Sequence, residues 1–100
     1  MTIDNSFYKS MEPLETYRGN QKWNDFFKAT DRLIELGDLI NDEMHEDPND
    51  TSALDSEAQG LTKQLKNDEQ KYADLTKSPA EYDAVFEIID YLEKHFNYTE

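Results

Sequence analysis

Over 21–46 the chain places Trp23, Phe26, Phe27, Thr30, Leu33, Ile34, Gly37, Ile40, Asn41 and Met44 at helical spacing. At 3.6 residues per turn, steps of three and four bring these side chains onto one face of an α-helix, whereas a half-buried strand would need strict alternation. The segment predicts a helix roughly 39 Å long at about 1.5 Å per residue. A helix of that length with one apolar face has to be covered by other elements, and the rest of the chain supplies only helical patterns to do it.

The next segments are separated by turn chemistry. Pro48 disfavours helical geometry at Asp47, and the turn formers after it stop the helix there, with Thr51 or Ser52 placed to cap the next one. That helix, expected over about 53–76, carries Leu54, Ala58, Leu61, Leu65, Asp68, Tyr72 and Leu75 at alternating steps of four and three. This is the narrow seam of a helical hairpin or coiled coil, and Asp68 is its misfit. Ser78, Pro79 and Glu81 then supply an N-cap, a first-turn proline and a capping-box glutamate for a last helix over 79–96, with Tyr82, Val85, Phe86, Ile89, Leu92 and Phe96 as its apolar side. Upstream, Pro13 interrupts the apolar residues of 3–17, so only short helical turns are expected there, and Gly19-Asn20 marks a break. The expected fold is all-α, a three-to-four-helix bundle built on a long antiparallel helical hairpin, in one domain over 1–100. Gly37 and Gly60 fall inside the two long helices at about 1 kcal/mol each relative to alanine, so close helix packing or a local bend is expected at both.

One hundred residues with 12% aromatics can build a single modest core, which a disordered acidic tail could not. The chain has no cysteine, so disulfides, thiolate chemistry and sulfur-rich metal sites are excluded. Its first residues lack a signal-peptide pattern and no apolar run reaches membrane-spanning length, so a cytoplasmic setting is expected and the Asn49 and Asn97 glycosylation triplets carry no meaning.

Chemistry-bearing motifs fail on inspection. Read as a calcium loop, the acidic turn from Asp47 has Ser52 where glycine is needed and Ala58 where the bidentate glutamate is needed. Asp42 and His45 stand one turn apart like half of a dimetal carboxylate site, but the residue three before His95 is Leu92, so the other half is missing. The two histidines read as surface residues, with His95 suited to the C-terminal end of its helix. No serine sits in a nucleophile motif, and glycines at 19, 37 and 60 are too scattered for a phosphate loop. The expectation is a non-enzyme with no metal and no cofactor.

Charge is the more informative signal. There are 23 acids against 10 bases, a formal −13, which disfavours direct contact with nucleic acid or an anionic membrane and favours a basic protein as partner. Between 33 and 62 there is no Lys or Arg, while Glu35, Asp38, Asp42, Glu43, Glu46, Asp47, Asp50, Asp55 and Glu57 lie in that window. Asp31, Glu35, Asp38, Asp42 and Glu46 form a stripe at steps of three and four, where like charges repel by a few tenths of a kcal/mol per pair. A stripe that costs folding energy suggests binding, and a basic groove that normally holds nucleic acid is its natural target. The expected function is therefore that of an acidic, DNA-mimic-like inhibitor of a nucleic-acid-binding protein, of the kind found among phage anti-host or anti-defence proteins. The alternative is a self-associating scaffold or adaptor, a homodimer formed through Leu61 and an uncovered Trp23, Phe26 and Phe27 end, with acidity serving solubility.

Overall fold

A computed structural model describes residues 5–46 and 52–96, and for 42–46 the backbone alone. All of its regular elements are helical. Helix α1 spans Asn5–Met11 and runs into a 3-10 segment, Glu12–Tyr17, whose second residue is Pro13. A second 3-10 turn, Gln21–Trp23, leads directly into α2, Asn24–Glu46; α3 is Ser52–Asn67, α4 is Glu69–Asp74 and α5 is Pro79–Phe96. The chain turns between the two 3-10 segments at Gly19, whose φ of +90° lies in the region that only glycine enters cheaply. The Asn20 side chain accepts from the Lys22 amide (2.9 Å) and so caps the second 3-10 turn.

Helix α5 occupies the centre: α1, the 12–17 segment, α3 and α4 all pack against it. Its buried side is Ala84, Val85, Ile88, Ile89, Leu92 and Phe96. Tyr82 and Phe86 were expected on that side, but Tyr82 is exposed and Phe86 only partly covered, because neighbours on several flanks turn the packed face toward 84 and 88. Helix α2 contributes Phe26, Phe27, Leu33, Leu36 and Ile40 to the same core; Thr30, fully buried, satisfies its hydroxyl on the Phe27 carbonyl at 3.1 Å.

The N-terminus of α5 is built as its sequence predicts, with one change. The Glu81 amide donates to Ser78 Oγ (3.3 Å), but the Glu81 carboxylate accepts from the Lys77 amide (2.9 Å) instead of that of Ser78. The same carboxylate accepts the Tyr17 hydroxyl, so the cap also fastens the 12–17 segment to α5.

Helices α2 and α3 pack against each other, with Arg32 meeting Glu57 farther along α2 and Asp25 sharing a groove with Asp68 nearer its start. The turn that would join them, including the Thr51 cap, lies outside the described residues. The expected continuous helix over 53–76 is broken at Asp68, whose amide is shared between the Gln64 and Leu65 carbonyls at 3.2 Å each before α4 restarts at Glu69. The seam misfit thus falls at a non-helical joint, where a polar side chain need not enter the core. At Gly60 the close-packing expectation is corrected: the residue is exposed, and nothing lies within 4 Å of where a Cβ would stand.

Candidate functional site

The acidic stripe starts on the exposed side of α2, where Asp31, Glu35 and Asp38 all face solvent. Asp42, Glu43 and Glu46 continue along the helix with side chains outside the described set, and Asp47 and Asp50 fall in 47–51. On α3, Glu57 is exposed and Asp55 intermediate. The structure brings Glu35 and Glu57 together through a residue that stands just outside the base-free window. Arg32 donates from Nε and from a terminal nitrogen to the two oxygens of Glu57 (2.7 and 2.9 Å) and from its other terminal nitrogen to Glu35 (2.7 Å). This paired-fork geometry is the most directional arrangement available to an arginine and a carboxylate. It holds the Glu57 carboxyl below the usual carboxylate range and raises the guanidinium's already high value, Glu57 contributing most and Glu35 next.

Arg18 repeats the device at the start of the stripe. It bonds Glu15 at 2.8 Å and Asp31 at 2.9 Å, and its guanidinium lies 4.5 Å from the centroid of the Phe27 ring. Two stripe carboxylates, Asp31 and Glu35, therefore take part in ion pairs within the chain, so the expectation that the stripe gives no folding benefit is corrected for them. The benefit is modest, since pairs this exposed are screened by solvent and salt. The i, i+3 spacing of Arg32 and Glu35 was visible in the sequence. The Glu57 contact, 25 residues away, depends on how α2 and α3 pack.

The aromatic residues proposed for self-association lie elsewhere. Trp23, Phe26 and Phe27 are buried at 1%, 0% and 4% exposure. The indole stacks on Tyr17 (4.7 Å, 13°) and meets Phe26 edge-on at 5.2 Å, and Tyr72 of α4 closes on both rings. The expectation that the single chain leaves this end uncovered is thereby corrected: α4 and the 12–17 segment cover it. Leu61 is only partly buried and lines a groove between α2 and α3. Among the described residues the large apolar side chains most open to solvent are Tyr8, Leu39 and Tyr82, at 44%, 37% and 40%.

Among the described residues no three His, Asp or Glu side chains gather as a metal site would require. His95 stacks on Tyr91 at 5.6 Å in the last turn of α5, while the His45 side chain and the acidic turn after it lie outside the described set. Nor, among those residues, is any helix long and apolar enough to cross a membrane. No family model, no curated protein and no solved structure matches this chain.

Proposed function

We propose that this chain is a non-catalytic acidic binding protein that engages a basic protein surface, and that the surface is one which otherwise holds nucleic acid. The supporting observation is that the chain's own cations leave its charge unabsorbed. Both arginines are already shared between two carboxylates each, and the formal charge is still −13. A field of one sign speeds encounter with an oppositely charged partner and steers its orientation, a role for which the solvent-facing side of α2 is suited. The setting that goes with this role is cytoplasmic, and the mode of action is inhibition by occupancy, as for phage-type anti-host proteins.

Charge density restrains the mimicry. A helical stripe gives one carboxylate per roughly 4.5 to 6 Å, against about one phosphate per 1.7 Å of duplex axis. Helix α2 alone is too sparse, and the exposed Asp83 and Glu87 of α5 are further carboxylates on which a mimic could draw. Self-association through the aromatic end would require Trp23, Phe26 and Phe27 to leave the core, so the fold lends that alternative no support.

Capture from cell lysate on the immobilised protein, at low and high salt, tests the proposal. Nucleic-acid-binding proteins should be retained at low salt, released by duplex DNA, and lost when Asp38, Asp42 and Glu46 are changed together to Asn, Asn and Gln. Captured proteins that ignore both the DNA and the triple change would reject it.

A further inference from the structure

Between α2, α3 and the start of α4 lies a groove of about 330 Å³ that the acidic window does not explain. Asp25, in the first turn of α2, and Asp68, at the joint between α3 and α4, both line it. Asp68 occupies the N-cap position of α4, yet its carboxylate makes no capping bond, and neither aspartate takes part in an ion pair among the described residues. The Asp68 amide is shared between the Gln64 and Leu65 carbonyls, while its side chain caps no helix and lines the groove.

Tyr72 adds the deciding feature. Its side chain is 2% exposed, with the ring packed against Trp23 and Phe26, and its hydroxyl has no hydrogen-bond partner among the described residues. No fully enclosed polar side-chain atom is left unsatisfied in those residues, so the Tyr72 hydroxyl keeps a little exposure, and Tyr72 lines the groove together with Asp25 and Asp68. Burial first, and then the nearby Asp68 and Asp25 carboxylates, push the phenol above its usual value and keep it protonated. Polar groups with little access to water are ordinarily partnered, and a nearly enclosed hydroxyl in a groove lined by two carboxylates can take a partner from outside.

We infer that this groove is a guanidinium pocket that receives an arginine side chain of the basic partner. The inference rests on the proposal that the partner is basic. The donor set selects the ligand. Two carboxylates and a phenol are too few for a divalent cation, which wants six or more oxygens. A guanidinium presents five N–H donors in one plane against the three of an ammonium, so it matches a set of two carboxylates and a phenol better. The stem of an arginine would lie along Leu61 and Leu65, which form the apolar part of the wall. Lys28 also lines the groove without forming an ion pair among the described residues, so the pocket keeps one net negative charge, and millimolar affinity for an isolated side chain is expected.

Titration of the full chain with N-acetylarginine amide, followed by amide chemical shifts, tests this at fixed ionic strength. Saturable shifts should centre on Ala29, Leu61 and Leu65. Asp68→Asn should weaken binding about tenfold, Tyr72→Phe should weaken it several-fold with the thermal midpoint measured alongside to show the core intact, and N-acetyllysine amide should bind several-fold more weakly. Shifts that do not saturate, that spread over the acidic surface, or that survive both substitutions unchanged would overturn the pocket. Equal binding of the lysine amide would overturn the choice of guanidinium. Because the ligand is a single amino-acid derivative, failure here leaves the lysate capture free to succeed, and failure of the capture leaves this titration free to succeed.

Discussion

At its N-terminal end α2 is held by aromatic contacts, with Trp23 and Phe26 packed against Tyr72 and Trp23 stacked on Tyr17, whereas over 31–38 the same helix turns Asp31, Glu35 and Asp38 to water, and Arg18 and Arg32 pair with the first two. The first region is closed by elements far apart in sequence: the 12–17 segment on one side and α4 on the other. The second is closed only electrostatically and only in part. Buried apolar surface must be covered within the chain for the fold to persist, since it is worth about 25 cal/mol per Å². Exposed charge carries no such obligation, because water and salt screen it. The aromatic end is therefore where this helix is packed into the fold, while Asp31, Glu35 and Asp38 stay at the surface.

The sharpest way to break this contrast is Trp23→Ala. Removing a fully buried aromatic should cost about 3–5 kcal/mol in urea unfolding, a large share of the roughly 5–15 kcal/mol typical of a domain. A cost under about 1 kcal/mol, the scale of an ordinary substitution, would mean that the aromatic end is not the anchor. Next comes Tyr17→Phe, which removes the bond to Glu81 and should cost about 1–2 kcal/mol, bonds to charged groups lying at the upper end of the usual range. That bond, followed by the one from the Lys77 amide, holds the Glu81 carboxyl below the usual range. A depressed carboxyl contributes stability that is present above the unfolded value near about pH 4.3 and is lost as pH falls through the lower folded value. Acid unfolding should accordingly be shallower in Tyr17→Phe than in the parent chain. Burial, and then the same contact, raises the Tyr17 phenol, whose contribution is present below its unfolded value and lost as pH rises through the folded one.

Gly60→Ala should stabilise by about 1 kcal/mol, because the site is open and helical; destabilisation would point to a backbone role for Gly60. The smallest effect on folding is expected from Arg32→Ala, which frees Glu35 and Glu57. Its midpoint in urea should stay close to that of the parent, while binding to an oligoarginine peptide tightens. Weaker peptide binding would show that the clamp organises the acidic surface instead of masking it.

Much of this architecture was legible in the chain. The Ser78–Glu81 cap and the apolar face of α2 are local patterns, with spacings set by helix geometry alone. The break at Asp68 was visible as a misfit but not as a joint, because periodicity reports a face without reporting whether the backbone stays helical. Leu36 was missed because α2 buries a wider arc than the 3–4 rule assumes. The covering of Trp23 by Tyr72 and the bridge from Arg32 to Glu57 depend on contacts 49 and 25 residues apart in the chain, which no local pattern encodes. At the acidic surface, residue types were readable but neutralisation was not, since it is decided by where two arginines reach.

The most direct test of the binding role is the association rate of the protein with the basic partner recovered from lysate, measured at two or more ionic strengths. The rate should rise steeply as salt is lowered, and the Asp38→Asn, Asp42→Asn, Glu46→Gln variant should flatten that dependence. Equal salt slopes for the two proteins would contradict the claim that the α2 carboxylates form the recognition surface.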